Sequence, residues 1–222
     1  FKTVQGQSFD TVVILSPMHQ YHQQPLLTSA HQAYRTPLGD VPLAQQKIAE
    51  INEALFDIRG SGLTPVAQDQ EHSLEIELPF LQCALAGDFD LIPIMLRDQT
   101  RETAKALAQV LAERLSKANC LLVASSDLSH FYPESEARKL DHQVLEALVN
   151  FAPEDLFDLK AQGQGHACGL AAMACVLWAS KTLGANNVEL LKYDTSASAT
   201  GDTSSVVGYG AAAITRPHQV TN

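Results

Sequence analysis

The chain has 222 residues, enough for one large domain with a substantial core. It is 45% hydrophobic and 18% charged, and its formal net charge of −10 disfavours nucleic acids and anionic membranes as partners, because both would repel its surface. No apolar run approaches the roughly 20 residues that span a bilayer. The four cysteines show no CxxC spacing and indicate no disulfide framework, which favours a cytoplasmic protein.

Hydrophobic periodicity divides the N-terminal half into alternating strands and helices. In chain order it predicts a buried strand over 11–15, a helix over 41–58, a helix over 71–85, a strand over 89–96 and a helix over 101–115. Pro79 lies inside the second of these helices, so we expect a kink or a break there.

The C-terminal half repeats the alternation. The predicted elements are a strand over 120–124, helices over 134–149 and 153–159, an apolar and therefore buried helix over 168–183, and strands over 188–193 and 204–214. Because no linker or low-complexity segment interrupts the pattern, it predicts a single α/β domain over residues 1–222. We expect three layers, with a mostly parallel central sheet flanked by helices.

Residues that could bind a metal or act in catalysis lie at three ends of the predicted strands and helices. His19 comes after the first strand, Asp127 and His130 come after strand 120–124, and Cys168 opens the apolar helix. The carboxyl ends of parallel strands and the amino ends of helices share one crevice, so these side chains are expected to converge. Imidazole, carboxylate and thiolate together form a transition-metal ligand set. A helix-start position is also expected to lower the pKa of the Cys168 thiol.

Other interpretations of the same residues remain open. His19 could be a loop histidine with a structural hydrogen bond, and Asp127 could cap a turn or hold His130 in one tautomer. Neighbouring serines such as Ser126 allow a Ser/His/Asp nucleophilic site, although no GxSxG motif is present. A metal-free Cys/His enzyme built on Cys168 is a further hypothesis.

Two further segments contain residues that could contact a substrate. Glu71 and His72 are predicted at the start of the helix that contains Pro79, where they could face a pocket or solvent. Arg35 is the residue of functional interest in a turn that is rich in proline and glycine.

Taken together, the segments resemble the Memo family, known in microbes as AmmeMemoRadiSam system protein B. The matching stretches are Ser-Pro-Met-His at 16–19, Tyr-Arg-Thr-Pro-Leu-Gly-Asp at 34–40, Glu-His-Ser-Leu-Glu at 71–75 with Leu-Pro-Phe at 78–80, Ser-Ser-Asp at 125–127 with His130, and Cys-Gly at 168–169. Their order and spacing resemble the family from residue 1 to about residue 214.

The resemblance implies a fold similar to the LigB-type, class III extradiol dioxygenases, whose members use non-haem iron. It also implies a pocket for iron or copper formed by His19, His130 and Cys168, with Asp127 beside it. The family has a further histidine in a Pro-His-Ala-Gly-Tyr strand, which we expect upstream of Phe1. The family name indicates a radical-SAM protein and a third component as partners.

The resulting hypothesis is a crevice that binds iron, with copper as the alternative cofactor, and that has dioxygenase-like oxidoreductase activity. In it His130 or His72 moves protons, Asp127 holds an imidazole in place, and Arg35 and Glu71 contact a small molecule or peptide. A cysteine ligand is unusual for extradiol ring cleavage, which argues against a literal catechol dioxygenase. The alternative is a non-catalytic adaptor that binds a metal or a peptide and acts with the radical-SAM system partners.

Overall fold

The structure is a computed structural model that describes residues 1–217. The strands are β1 (Thr11–Pro17), β2 (Leu26–Ser29), β3 (Ala33–Thr36), β4 (Gly39–Pro42), β5 (Thr64–Val66), β6 (Asp90–Leu96), β7 (Cys120–Ala124), β8 (His130–Tyr132), β9 (Asn187–Thr195) and β10 (Val206–Thr215). The helices are α1 (Gln45–Arg59), α2 (Leu78–Ala84), α3 (Arg101–Leu115), α4 (Glu134–Val149), α5 (Pro153–Ala161), α6 (Leu170–Thr182) and α7 (Ala197–Thr200). The last five residues of the predicted domain, 218–222, lie outside this description.

The central sheet has five strands in the order β5-β2-β6-β1-β7. Strand β1 is parallel to both of its neighbours, β6 and β7, and β2 is parallel to β5. Only the β2–β6 pair is antiparallel. All seven residues of β1 are buried, as expected for a continuous apolar run covered on both faces. The prediction of a mostly parallel α/β sheet is therefore confirmed.

Helices flank this sheet as predicted. Helix α3 packs between α1 and α6, and α6 also contacts β1 and β7. Ten of the thirteen residues of α6 are buried, because this helix is apolar on all sides. Helix α3 is capped at its N-terminus by Thr100, whose hydroxyl accepts a hydrogen bond from the backbone N–H of Thr103. No helix within residues 1–217 combines the length and the apolar character needed to cross a membrane.

Strands β9 and β10 correspond to the strands predicted over 188–193 and 204–214, whereas the short strands were not predicted. Strands β8, β10 and β9 form a separate antiparallel sheet, in which residues 206–207 of β10 pair with β8 and residues 208–215 pair with β9. The segment that was predicted as a turn over residues 34–40 belongs to a β3–β4 hairpin. These strands are only three or four residues long, apart from β9 and β10, so they leave little periodicity in the sequence.

Three predicted helices begin later than expected. The helix predicted from residue 41 begins at Gln45, because residues 41–42 end β4. The helix predicted over 71–85 is wrong in its first half: residues 71–74 are irregular, Glu75–Glu77 is a single 3-10 turn, and α2 begins at Leu78. Pro79 then falls in the first turn of α2, where its missing N–H costs no hydrogen bond. The last helix begins at Leu170, so Cys168 precedes it.

Strand β7 differs from the buried strand that its apolar sequence predicts. Its five residues are only half-buried, and within residues 1–217 it pairs with β1 alone. A cleft of about 800 Å³ is lined by all of β7, by residues 210–215 of β10 and by Phe1 and Val4. One edge of the central sheet is therefore unpaired in the described part of the chain.

Candidate metal centre

The parallel pairing of β1 and β7 places the loops that follow them side by side. Leu15 pairs with Ala124 at the end of the ladder, and the backbone N–H of Ser125 donates to the Leu15 carbonyl at 2.8 Å. The chain then continues into Met18 and His19 from β1, and into Asp127 from β7. This is the edge of a parallel sheet at which ligand sites form in α/β proteins.

Cys168 is hydrogen-bonded directly to the loop after β7. The backbone N–H of Cys168 donates to the Asp127 carbonyl at 3.1 Å, and the Asp127 N–H donates to Cys168 Sγ, also at 3.1 Å. The Gly169 N–H donates to Ser126 Oγ at 2.8 Å. A Cβ at Gly169 would lie 2.4 Å from the Ser125 carbonyl oxygen, so only glycine permits this approach.

Asp127, His130 and Cys168 each offer one ligand atom, and these atoms all lie within 4.8 Å of one another. No other group of three or more such residues is found within residues 1–217. His130 Nε2 lies 3.5 Å from Asp127 Oδ2 and is buried without a hydrogen-bond partner. Such an unsatisfied buried nitrogen requires an explanation, and a metal ion bound there would satisfy it. The three residues therefore fit a transition metal in both chemistry and placement.

The thiol of Cys168 differs electrostatically from the prediction. Burial raises its pKa above the ordinary value, and the charge of Asp127 acts in the same direction. The hydrogen bond from the Asp127 N–H favours the thiolate but does not cancel these effects. The expected lowering of this pKa is therefore wrong, because Cys168 precedes α6 and is partly desolvated.

His19 is not a member of this group of three, although it lies at the same edge of the sheet. Its Nδ1 lies 2.9 Å from Glu71 Oε2, and its backbone N–H donates to the same oxygen at 2.7 Å. The His19 side chain is 47% exposed, whereas that of Glu71 is 1% exposed. The His19 ring is therefore oriented by a buried carboxylate and remains accessible.

Glu71 accepts hydrogen bonds from several backbone groups as well as from His19. The N–H groups of His72 and Ser73 donate to its Oε1 at 3.1 and 3.0 Å. Burial acts to raise the pKa of the Glu71 carboxyl, but its hydrogen bonds outweigh that effect and hold the pKa below its ordinary value. The structure thus places Glu71 where it orients His19, and its predicted contact with a substrate stays a prediction.

The other predicted site residues are more exposed. The side chain of His72 is 74% exposed, and its ring stacks on that of His19 with centroids 6.2 Å apart. The side chain of Arg35 is 84% exposed and forms two hydrogen bonds with Asp40 within the β3–β4 hairpin. Arg35 has no hydrogen bond or ion pair to Asp127, His130 or Cys168 among the described residues.

Among the described residues, the hydroxyls of Ser125, Ser126 and Ser129 form no hydrogen bond with His130. The Ser125 hydroxyl donates to the Ser73 carbonyl at 2.6 Å, and the Ser126 hydroxyl donates to the Asp127 carbonyl at 2.8 Å. Neither hydroxyl is hydrogen-bonded to His130, whose Nε2 has no partner. Their hydrogen bonds therefore give these serines a structural role in the loop.

Sequence reasoning missed two acidic residues near the site. Burial raises the pKa of the Glu77 carboxyl, and the charge of Asp127 contributes to that rise. Asp141 is fully buried and accepts a hydrogen bond from the backbone N–H of Ser129. Glu77 lies in a single 3-10 turn, and Asp141 lies on the otherwise apolar buried face of α4. The sequence does not show which groups either carboxyl contacts.

Comparison with known proteins identifies related sequences. The family model for Memo-like proteins matches residues 1–213. The chain belongs to the Memo family. A MEMO1 family protein of Nitrosopumilus maritimus is 35% identical over 213 residues, which cover 95% of this chain and 76% of the relative.

Further Memo family relatives come from distant organisms. A MEMO1 family protein of Methanosarcina barkeri is 32% identical over 204 residues, or 91% of this chain and 75% of the relative. A MEMO1 family protein of Aquifex aeolicus is 32% identical over 200 residues, which cover 90% of this chain and 73% of the relative. The family match includes every candidate site residue, and the resemblance that the sequence motifs predicted is confirmed.

Proposed function

We propose that this Memo family protein binds a redox-active metal through Asp127, His130 and Cys168, with iron as the metal and copper as the alternative. The observation that supports this most directly is the convergence of three different ligand atoms around a buried, unsatisfied imidazole nitrogen. Metal binding would satisfy that nitrogen and stabilise the thiolate, which burial disfavours in the metal-free protein.

The donor set supports these metals. A thiolate and an imidazole suit iron and copper, whereas the calcium and magnesium sites of proteins use oxygen ligands. Three protein ligands leave positions open on the metal. When bound, iron would supply redox chemistry towards dioxygen or an oxygen-bearing substrate.

His19 is proposed to act at the same site through its Nε2. Because the pKa of Glu71 is lowered, its carboxylate is ionised at neutral pH and can only accept hydrogen bonds. The Nδ1–H of His19 therefore donates to this carboxylate, and in the neutral ring the lone pair is on Nε2. That nitrogen is suited to accepting a proton from a substrate, or to the coordination that the family resemblance implies. His72, stacked on His19 and exposed, is placed to exchange protons with solvent.

The second candidate function is an adaptor that presents the site to a peptide without turnover. Two exposed aromatic side chains favour it, because Tyr21 is 79% exposed and Phe131 is 77% exposed. Tyr21 follows His19 by two residues, and Phe131 follows His130 directly. Exposed aromatic residues beside a site are typical of binding surfaces. A radical-SAM protein and a third system component are the proposed partners of either function.

The test is an anaerobic titration of the protein with Fe(II) and with Cu(I), followed by oxygen-uptake measurements with catechols and peptides. We expect near-stoichiometric binding to the wild type and to Cys175→Ala, and none to Cys168→Ala. Cys175 is a matched control, because it is a fully buried cysteine within α6 and outside the ligand group. Metal binding with substrate-dependent oxygen uptake would support the enzyme, and metal binding without it would favour the adaptor. Equal binding by all three proteins, or by none, would contradict the proposed site.

A further inference from the structure

Asp141 is a buried carboxylate that connects α4 to the loop of the candidate metal centre. It is 0% exposed. Its Oδ1 accepts the backbone N–H of Ser129 at 2.8 Å, and its Oδ2 accepts the hydroxyl of Tyr193, in β9, also at 2.8 Å. Ser129 directly precedes His130, so Asp141 acts on the backbone next to a proposed ligand.

An acidic residue at this position needs a specific reason. The other buried residues of α4 are apolar: Ala137, Leu140, Val144, Leu145 and Ala147. Removing a carboxylate from water is costly unless hydrogen bonds compensate for the lost hydration. For Asp141 these bonds come from the Ser129 N–H and the Tyr193 hydroxyl, that is, from the loop and from the second sheet.

Strand β10 holds the same stretch of backbone. The Leu128 N–H donates to the Gly208 carbonyl, and the Gly208 N–H donates to the Ser129 carbonyl, each at 2.9 Å. A Cβ at Gly208 would lie 1.8 Å from Asp141 Oδ2, so any larger residue there would displace the carboxylate. Gly208 is thus required for Asp141 to reach Ser129.

The backbone just beyond His130 is strained. Phe131 has a φ of 65°, in the left-handed region that residues other than glycine avoid. A strained residue persists only where its surroundings fix the backbone on either side of it. Its side chain is largely exposed, so packing of that side chain does not provide the restraint. The restraint comes from the pairing of His130 and Tyr132 with β10, together with the hydrogen bonds to the backbone of Leu128 and Ser129.

We propose that Asp141 is a positioning residue that fixes the His130 loop, with Tyr193 and Gly208 as its supports. The inference rests on the proposed metal site, because it assigns Asp141 the task of keeping His130 Nε2 beside Asp127 and Cys168. Neither hydrogen bond of Asp141 goes to the side chain of a proposed ligand. Asp141 acts on the site through the backbone of Ser129.

The test compares Asp141→Ala with Asp141→Asn by anaerobic titration with Co(II), whose absorption reports a thiolate ligand. Asn keeps both contacts, because its amide oxygen accepts the Ser129 N–H and its amide nitrogen donates to the Tyr193 oxygen. We expect Asp141→Ala to weaken Co(II) binding by about 10–100-fold and to alter the absorption. Asp141→Asn should retain the wild-type spectrum, with an affinity loss of less than about tenfold.

Further variants separate positioning from general destabilisation. Leu55→Ala removes a fully buried side chain of α1 and should reduce stability without changing Co(II) affinity or absorption. Gly208→Ala should reproduce the effect of Asp141→Ala. Tyr193→Phe removes one of the two hydrogen bonds and should give a smaller loss; it also tests the proposal if Asp141→Ala does not fold. The proposal would be overturned if Asp141→Ala and Tyr193→Phe had the same Co(II) affinity and absorption spectrum as the wild type.

A metal-free measurement distinguishes failure of this inference from failure of the proposed function. The imidazole signals of His130 in the NMR spectrum of the apo-protein should shift or broaden in Asp141→Ala, while those of His19 stay unchanged. A wild type that binds no Co(II) would refute the metal site, and the His130 signals would still test positioning. Unchanged His130 signals in a folded Asp141→Ala protein would refute the role of Asp141.

Discussion

Two clusters of ionisable residues lie at the same edge of the central sheet, and they differ in how far the protein itself satisfies their polar atoms. In the cluster of Glu71, His19 and His72, the buried carboxylate accepts three backbone N–H groups and one imidazole. In the cluster of Asp127, His130 and Cys168, the buried nitrogen of His130 has no hydrogen-bond partner. The protein itself satisfies the buried carboxylate of the first cluster, whereas it leaves the buried nitrogen of the second without a hydrogen bond.

This difference separates two tasks that the sequence could not distinguish. A carboxylate whose hydrogen bonds all come from the protein holds neighbouring groups in place, as Glu71 does for His19. A group of converging ligand atoms with an unsatisfied nitrogen is suited to an external ion. We therefore expect changes in the second cluster to act on metal binding, and changes at Glu71 to act on both stability and the orientation of His19.

The largest effect is expected at His130. His130→Ala removes a proposed ligand and should weaken Fe(II) binding by more than the roughly 10–100-fold cost of losing an outer hydrogen-bond partner. His142→Ala, on an exposed position of α4, is the control and should bind like the wild type. The measurement is anaerobic competition against a chelator of known affinity. If His130→Ala and His142→Ala bound Fe(II) with equal affinity, the proposed role of the second cluster in metal binding would be contradicted.

Glu71→Gln should have an intermediate effect and should sharpen the comparison through its pH dependence. The folded-state pKa of Glu71 lies below its ordinary value of 4.5, so its ionised form stabilises the fold above that value. The stabilisation is lost as the pH falls through the folded-state pKa. Loss of the charge-assisted hydrogen bonds should lower the free energy of unfolding by about 1–3 kcal/mol at pH 7.

Urea unfolding of the wild type and Glu71→Gln at a series of pH values checks this prediction. The difference in unfolding free energy should be constant from neutral pH to about 5 and should shrink at lower pH. A difference that stays the same down to pH 3 would show that Glu71 acts through packing rather than through its charge. Metal affinity of the same variant should fall by about 10–100-fold if His19 takes part in binding.

The smallest effect is expected in the reactivity of the Cys168 thiol. Because its pKa is raised, alkylation by iodoacetamide at neutral pH should be slower than that of a free cysteine and should accelerate as the pH rises. Bound metal should protect Cys168 further, and a chelator should remove that protection. Mass spectrometry of the modified peptide measures the rate. Rapid alkylation of the metal-free protein at pH 7 would instead favour the Cys/His nucleophile.

The fold was predictable where a helix or strand is long enough to show its own apolar periodicity in the sequence. Helices α3 and α4 have the predicted limits, because their apolar positions repeat at helical spacing over four turns. Short strands such as β5 and β8 have three residues each and depend on partners distant in the chain. The segment before Pro79 was wrongly predicted as helical, because Leu74 lies at helical spacing from Leu78 and Leu81 although it precedes the 3-10 turn and α2.

The site was predictable to the extent that topology determines it. The rule that strand ends share a crevice predicted that His19, Asp127, His130 and Cys168 converge, and the structure brings the last three together but not His19. The rule did not assign Glu71 or Asp141, because their roles depend on contacts that a single sequence does not display. Glu71 reaches His19 across 52 positions of sequence, and Asp141 reaches Tyr193 across another 52. The burial of these two carboxylates can be recognised only in the folded structure, where their distant hydrogen-bond partners surround them.

The most direct test of the metal centre is the metal content of the protein purified without oxygen, beside a His130→Ala/Cys168→Ala double variant. The account predicts close to one equivalent of iron or copper in the wild type, and none in the double variant, with both proteins folded. Absence of metal from the wild type after purification and after titration would contradict it, as would equal metal in the folded double variant.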